Sequence, residues 1–204
     1  MLKIEKTDTY GWQAAFRGMR NPLNSWEKSD SYYTVDGEYI IGKKDIELAK
    51  KLAKAGSDHR KYLRQIGVSV DITAPLYWWK EFDTYKVGTV ANSCSTMHTI
   101  HTKEFKLADF SWEHLTEPNL RVLEWVIEML NANREKYLVT KSKEDWLQLI
   151  QLLPSSYDQK RTVTLNYEVL VNIYNARKNH KLDEWHTLCA WIEKLPLSEL
   201  IIGE

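Results

Sequence analysis

The chain has 204 residues, and its 28 lysines and arginines balance 28 aspartates and glutamates, so the formal net charge is zero. This length suits one domain with a buried core, and the zero net charge argues against nonspecific binding of nucleic-acid polymers. No apolar run reaches membrane-spanning length, the first residues do not form a signal peptide, and two cysteines are too few for a disulfide framework, so we expect a cytoplasmic protein without membrane association.

Aromatic side chains are frequent, with nine tryptophans and eleven tyrosines. Most of them are expected in the core, because an aromatic ring buries a large apolar area. The same load also suits the binding of flat, ring-shaped ligands or an oligomer interface.

The N-terminal region is predicted to combine a strand, a helix and a loop. Residues 2–5 form a short strand, and Asp8 caps the helix that follows. Arg17 and Arg20 lie on or near this helix, with solvated surface and anion binding as the alternatives. Residues 21–31 are polar and indicate a loop.

A hairpin and two helices come next. The runs YYTV and EYII flank Asp36 and Gly37, and both of these residues need positive φ in a two-residue hairpin turn. Asp45 caps a helix that Gly56 ends, and a shorter helix covers residues 58–65.

A strand and a polar loop form the middle of the chain. Residues 68–73, VSVDIT, alternate apolar and polar side chains, which predicts the best strand of the chain. Pro75 suits the first turn of a helix that continues to about Tyr85, and Gly88 ends that segment. Residues 91–96 are small and polar, and they either belong to a functional site or cap the next helix.

Candidate nucleophiles and metal ligands lie in and after this loop. Cys94, His98 and His101 would share one face of a helix, so zinc binding is one interpretation and ordinary histidines on a short helix the other. Ser95 and Cys94 have the chemistry of nucleophiles, but the sequence identifies no base beside them. No fourth ligand for zinc is obvious in the sequence, so we predict no metal.

The C-terminal half is predicted to be mostly helical. One helix starts after Thr116, and another starts at a capping box formed by Ser142 and Asp145. Residues 155–161 are predicted to form a polar connecting segment, and two further helices follow from about Leu165. Helices therefore dominate over at least three or four strands, which predicts an α+β fold.

Arg177 stands out in this half of the chain. It shares a helix face with Leu170, Ile173 and Tyr174, so it is a cation on an otherwise apolar, aromatic face. Such a cation is paired with a carboxylate, reaches water or binds an anion. The sequence leaves a structural salt bridge and an anion site as alternatives.

Two stretches of the chain, 59–95 and 166–185, resemble the motifs of the flavin-dependent thymidylate synthases. The matching positions are His59, Ala74, Pro75, Asn92 and Ser95 in the first stretch, with one extra loop residue, and Asn166, Asn172, Arg177, His180 and Trp185 in the second. The sequence LLPSS at 152–156 and the early helix with Arg17 also resemble the family. The similarity spans most of the chain, as spacing more than as identity.

The resemblance implies one mixed α/β domain of the flavin-dependent thymidylate synthase type over 1–204, with helices packed on a central sheet. It also implies a homotetramer with sites between subunits, FAD as cofactor and dUMP or another pyrimidine nucleotide as ligand. The residues implied in cofactor binding are His59, Lys86 and Asn172. The residues implied in catalysis, at the nucleotide, are Ser95 and Arg177.

The sequence departs from the family at several charged positions. Residues 84–86, Thr-Tyr-Lys, stand where the family has Arg-His-Arg, and Ser93 and Met97 replace a glutamate and an arginine. Glu168 replaces an arginine, which reverses the charge and is expected to repel an anion. The hairpin around 36–37 is a further feature not expected of the family.

The leading interpretation is a divergent flavin-dependent thymidylate synthase-like protein that binds FAD and a pyrimidine nucleotide, with methylation of dUMP impaired by the lost arginines. The alternative is a non-catalytic relative that acts as an interaction or regulatory protein. A phage, prophage or mobile-element origin would fit this divergence. We expect neither nucleic-acid polymers nor membranes as partners.

Overall fold

The computed structural model describes residues 2–203. Its strands are β1 (Lys3–Tyr10), β2 (Tyr32–Tyr33), β3 (Tyr39–Ile40), β4 (Gly67–Pro75), β5 (Val90–Ser93) and β6 (Asp158–Asn166). Its α-helices are α1 (Trp12–Gly18), α2 (Lys43–Lys54), α3 (Leu76–Phe82), α4 (Glu117–Thr140), α5 (Lys143–Leu152), α6 (Tyr167–Arg177), α7 (Asp183–Ile192) and α8 (Glu199–Ile202). Within these residues no helix combines the length and the apolar character needed to cross a lipid bilayer.

The main sheet has four strands in the order β1-β4-β6-β5, and β2 pairs with β3 in a separate hairpin. β4 contains the predicted strand 68–73 and has a neighbour on each side, so that prediction is confirmed. Val68, Val70 and Ile72 are almost completely buried, because alternate residues of a strand point to the same face of the sheet. Together with the helices, this sheet confirms the α+β class.

The chain divides into two compact units, each assembled from separate segments. The described segments of the first unit are 2–3, Asp71–Thr84 and Ala91–Thr162, and those of the second are Ile4–Val70, Tyr85–Val90 and 163–203. β4 and β6 each pass from one unit into the other. The single domain over 1–204 stays a prediction.

Helices α4 and α5 carry much of the first unit's core. α4 begins after Thr116, as predicted, and runs for 24 residues. At the start of α5 the Ser142 hydroxyl accepts a hydrogen bond from the backbone N–H of Asp145 at 3.1 Å, which confirms the predicted cap. Leu130 and Leu149 are fully buried in one apolar cluster of this unit.

Helix α3 adds an aromatic cluster to the first unit. It follows β4 directly, as predicted, but Pro75 precedes its first turn and the helix ends at Phe82, before the predicted end near Tyr85. Trp78, Trp79 and Phe82 are buried, and their ring centres lie 4.9 to 5.3 Å apart. The Trp79 indole N–H donates to the Gln159 carbonyl oxygen at 2.9 Å, so the buried polar atom of that ring has a partner.

Two aspartates predicted to cap helices of the second unit have other roles. Asp8 lies inside β1, and Gly11, with φ of 84°, precedes α1. Asp45 lies in the first turn of α2, where it is buried, and its carboxylate accepts a hydrogen bond from the Arg20 Nε at 2.6 Å. Arg20 is therefore a buried ion-pair partner, neither solvated nor available to an anion.

The predicted hairpin is confirmed, but its turn is different. β2 and β3 pair antiparallel, with Tyr33 opposite Tyr39. Residues 34–38 connect the strands, and Gly37 has φ of 84° whereas Asp36 is not in the positive-φ region. A longer hairpin loop needs only one residue with positive φ, which is why the aspartate keeps ordinary geometry.

The prediction of a polar link over 155–161 is wrong, because most of this segment belongs to β6. Its polar side chains find partners: Gln159 donates to the Cys94 carbonyl oxygen at 2.7 Å. Arg161 donates to the Asp83 carboxylate, also at 2.7 Å. The strand is therefore stabilised by tertiary partners that local sequence composition does not reveal.

Candidate functional site

Arg177 is the last residue of α6, and its guanidinium lies against two aromatic rings. Its Nε–H donates a hydrogen bond to the Tyr85 hydroxyl oxygen at 2.9 Å. The guanidinium carbon lies 4.5 Å from the centre of the Trp185 ring and 5.6 Å from that of Tyr85. Ring faces attract a cation without neutralising it, so these contacts set the orientation of the arginine.

Trp185 anchors this cluster from α7, where its ring is completely buried. The Tyr85 ring meets it edge to face at 6.1 Å, and the His180 ring does so at 6.2 Å. His180 Nδ1 also accepts a hydrogen bond from the Leu182 backbone N–H at 3.2 Å. The structure therefore groups the resemblance positions His180 and Trp185 at the Arg177 end of α6.

The segment Tyr85–Val90, here called the 85–90 loop, is held against the start of α6. Gly88 has φ of 77°, and a Cβ atom there would lie 3.0 Å from the Asn166 side-chain nitrogen and 3.2 Å from a methyl group of Val169. Only glycine accepts both this φ and this close approach without strain. Asn166 in turn caps α6, since its side-chain oxygen accepts from the Val169 N–H at 3.1 Å.

Lys86 and Asn172 are both exposed. Lys86 follows Tyr85 directly, so the 85–90 loop brings it to the region of Arg177. Asn172 lies on α6 five residues before Arg177, which is about 140° away around an α-helix. Asn172 therefore faces a different side of the helix from Arg177.

Glu168, expected to repel an anion, is paired inside the second unit. Its carboxylate accepts a hydrogen bond from the Arg60 Nε at 3.0 Å, and the two side chains are 10% and 20% exposed respectively. A carboxylate with a cation at this distance has its charge compensated locally. The pair with Arg60 reduces the field that Glu168 exerts on a ligand, and the expected repulsion of an anion stays a prediction.

His59 lies at the edge of a cavity of about 670 Å³ in the second unit. The helix predicted over 58–65 is a 3-10 helix over Lys61–Gln65, so His59 lies in the turn before it and not in a first helical turn. Apolar side chains, including Met19 and Leu48, line the cavity together with the exposed His59. The cavity is thus a mainly apolar space with a histidine at its border.

Ser95 lies in the first unit, where it organises a turn. Its hydroxyl oxygen accepts hydrogen bonds from the backbone N–H groups of Met97 at 3.2 Å and His98 at 3.0 Å. The residues after it form turns and not a helix, so Cys94, His98 and His101 do not share a helix face. Between residues 2 and 203, no group of three or more His, Cys, Asp or Glu could hold a metal ion.

Comparison of the sequence with family models and with curated proteins finds no match. Comparison of the structure with solved structures does. A flavin-dependent thymidylate synthase, ThyX, of Helicobacter pylori complexed with FAD and dUMP superposes with a TM-score of 0.71 over 99% of this chain and 98% of that one, at 20% identity. The fold is that of the flavin-dependent thymidylate synthases.

Two more structures have the same fold. A second Helicobacter pylori ThyX structure, with FAD and dUMP, has a TM-score of 0.71 at 19% identity and covers 100% of this chain and 98% of its own. A UMP/dUMP methylase, PolB, of Streptomyces cacaoi bound with 5-Br dUMP has a TM-score of 0.63 at 12% identity, covering 100% and 95%. The fold predicted from the motif spacing is confirmed.

Within this thymidylate synthase fold, sequence reasoning missed Tyr85 as a site residue. The resemblance expects histidine in the middle of residues 84–86, so a tyrosine there counted as a loss. The structure instead places its hydroxyl on Arg177. The sequence did contain a signal for this role, because a tyrosine hydroxyl both donates and accepts hydrogen bonds and Tyr85 stands at a motif position.

Proposed function

We propose that this protein binds FAD and a pyrimidine nucleotide, with dUMP as the first candidate, as a thymidylate synthase-like protein. One observation carries the proposal: an arginine at the resemblance position Arg177 is oriented by aromatic rings and a hydroxyl. It has support from the full-length similarity in fold to a protein complexed with FAD and dUMP.

Arg177 is the proposed group for the nucleotide phosphate. A planar guanidinium offers several N–H donors in the geometry that phosphate oxygens accept. Ser95 is the second proposed nucleotide residue, because its oxygen accepts from two backbone N–H groups and its proton remains able to donate. In the proposed homotetramer, Ser95 and Arg177 of one chain can contact two different nucleotide molecules.

The cavity beside His59 fits the ring system of a flavin. Its volume of about 670 Å³ lies within the usual range for cofactor sites, and its mixture of apolar walls and polar edges suits a flat heterocycle. His59, which lines this cavity, and Lys86 and Asn172, which do not line it, are the proposed FAD-binding residues. Bound FAD would supply hydride chemistry, while the residues of the chain would bind and orient it.

Methyl transfer to dUMP is proposed to be impaired. Residues 84–86 contain one cation, Lys86, where the family motif has two arginines and a histidine, and Met97 replaces another arginine. Loss of one positioned charged donor typically costs about 3 kcal/mol of transition-state stabilisation. Several such losses, even if not additive, would leave little activity.

We further propose a homotetramer in a reducing cytoplasm. Exposed aromatic residues such as Tyr32, Tyr33 and Trp125 suit an interface between subunits. Both cysteines, Cys94 and Cys189, are free, as is usual for proteins of that compartment. Light scattering at micromolar concentration tests this assembly, and a monomer would remove the proposed sites between subunits.

A second candidate function, a non-catalytic interaction or regulatory protein, is favoured by one surface of the first unit. Trp125 and Met129 of α4 and Leu152 of α5 line an open groove of about 340 Å³. The Trp125 side chain is 60% exposed, and exposed apolar grooves frequently bind other proteins. A phage or mobile-element origin would suit such a role.

Calorimetric titration with FAD and with dUMP separates the two functions. We expect binding of both, with Kd weaker than about 10 µM, which corresponds to about −7 kcal/mol. No heat from either ligand at about 1 mM would favour the interaction protein. We also expect that the gene will not rescue a bacterium that lacks thymidylate synthase, and robust rescue would contradict the impaired methyl transfer.

A further inference from the structure

The cavity beside His59 lies in a basic part of the chain. Residues 43–65 contain eight lysines and arginines against three aspartates and glutamates, although the whole chain has zero net charge. Helix α2 provides Leu48 and Leu52 to the cavity wall. The same helix carries a series of exposed lysines: Lys43, Lys44, Lys51 and Lys54. Positive charge around an apolar cavity favours a ligand that combines an apolar part with an anionic group.

Lys61 brings a positive charge to the cavity itself. Among the described residues that line the cavity, it is the one lysine or arginine. Its side chain is exposed, whereas Met19 and Tyr62 of the same lining are buried, with exposed fractions of 7% and 4%. The cavity therefore has apolar walls and a cation at its opening. An ammonium on a flexible four-carbon stem binds phosphate as a point charge.

Asp58 also lines the cavity, and its carboxylate opposes the binding of an anion. Its side chain is exposed like that of Lys61. The lysine stem is longer and more flexible than the aspartate side chain, so Lys61 can bring its charge to a ligand more readily than Asp58 can. The two opposite charges make opposite predictions for an anionic ligand.

We propose that Lys61 is a cofactor-binding residue whose ammonium contacts a phosphate of the flavin, while the apolar walls of the cavity contact the ring system. Lys61 lies two positions after His59, and it supplies a cation in a chain that has only Lys86 among residues 84–86. The preferred ligand is therefore a flavin that carries a phosphate. This inference rests on the flavin binding proposed above.

The test compares FMN with riboflavin, which has the same ring system without a phosphate. Protein is titrated into dilute flavin, and the quenching of flavin fluorescence gives the Kd. In Lys61→Gln we expect the Kd for FMN to rise about fivefold, because an exposed ammonium adds a modest attraction to a phosphate. The Kd for riboflavin should change less than about twofold. Lys61→Arg keeps the charge, so its Kd for FMN should stay within about twofold of the wild-type value.

Two further variants control for charge and for its sign. Arg64→Gln is the matched control, because Arg64 lies on the same 3-10 helix and is exposed but does not line the cavity. It removes an equal charge, and its Kd for FMN should change less than about twofold, since ions in solution screen distant charges. Asp58→Asn removes the opposing carboxylate, so its Kd for FMN should fall about twofold.

Three results would overturn the role of Lys61. They are an equal rise in Kd for FMN and riboflavin in Lys61→Gln, an equal rise for FMN in Arg64→Gln, and unchanged FMN binding in Lys61→Gln. The proposed flavin binding would stand in each case, because the wild type binds the flavin. Absence of binding of FAD, FMN and riboflavin by the wild type would instead refute the flavin binding, and the role of Lys61 with it.

Discussion

The two ends of α6 each hold an arginine, and they hold it by different means. At the first turn Glu168 binds Arg60 in a largely buried ion pair with a distance of 3.0 Å. At the last turn Arg177 lies on Trp185 and donates to the Tyr85 hydroxyl. Arg60 contacts a carboxylate, whereas the contacts described for Arg177 include a hydroxyl and a ring face.

This difference separates a structural role from a proposed binding role. A carboxylate in contact with a cation cancels its charge, so the Arg60 pair ties the turn after His59 to α6. Arg177, which contacts a ring face and a hydroxyl, is the arginine proposed above to recognise an anion. Glu168 therefore has a structural role at one end of the helix.

The largest expected effect is at the ion pair. Glu168→Arg would leave Arg60 without its carboxylate and add a second cation beside it, and we expect the free energy of unfolding to fall by about 3 kcal/mol. Urea denaturation measures this loss. Thr84→Arg alone is then the better way to restore a motif cation, because it does not disturb Arg60.

Glu168→Gln is the control for that change, since it removes the charge but nearly preserves the shape. Its loss should be smaller than that of Glu168→Arg. Equal stability of the wild type and Glu168→Arg would mean that the ion pair does not hold the turn, and the comparison between the two ends of α6 would fail.

The next effect concerns the loop that carries Tyr85. Gly88→Ala combines a positive φ with two close contacts, so we expect a loss of about 2 kcal/mol in the free energy of unfolding. Gly37→Ala is the matched control, because its φ of 84° is similar but no atom lies within 4 Å of the added carbon. Urea denaturation of both variants should show the larger loss at Gly88; equal losses would show that the loop is not tightly held.

The smallest effect is that of salt. Raising the ionic strength from about 0.05 M to about 0.5 M should weaken dUMP binding about threefold, because screening acts on a charge exposed to a ligand. The stability difference between the wild type and Glu168→Gln should hardly change, since that pair is largely buried. Calorimetry measures dUMP binding and urea denaturation measures the stability difference, each at both salt concentrations. If salt changed the stability difference and left dUMP binding unchanged, the structural role of Arg60 and the binding role of Arg177 would both be contradicted.

Several elements could be predicted from the sequence because their signals are local. The alternation in VSVDIT predicts β4, and the Ser142 and Asp145 pair predicts the start of α5. The spacing from His59 to Ala74 and from Asn166 to Arg177 indicated the thymidylate synthase fold, which the structural similarity supports. Periodicity, caps and spacing are properties of neighbouring residues, so one sequence suffices to read them.

Other features depended on partners that are distant in the chain. Residues 158–161 are polar, and they form a strand because Cys94, Asp71 and Asp83 provide partners for their side chains. Asp45 is not the cap of α2, because the distant Asp30 carboxylate accepts the backbone N–H groups of Lys44 and Asp45 at the start of that helix. Local preference is weak beside such contacts, which is why sequence reasoning failed at these residues.

The candidate site also combines features that the sequence predicts with contacts between residues distant in the chain. The amino-acid order alone shows that residues 84–86 carry one cation, and it predicts an arginine on an aromatic helix face at Arg177. The contacts of Tyr85 with Arg177, 92 positions apart, and of Arg60 with Glu168, 108 positions apart, became visible with the folded chain. Charge and residue type are written in the chain, but the partner of a charge depends on which segments the fold brings within hydrogen-bond distance.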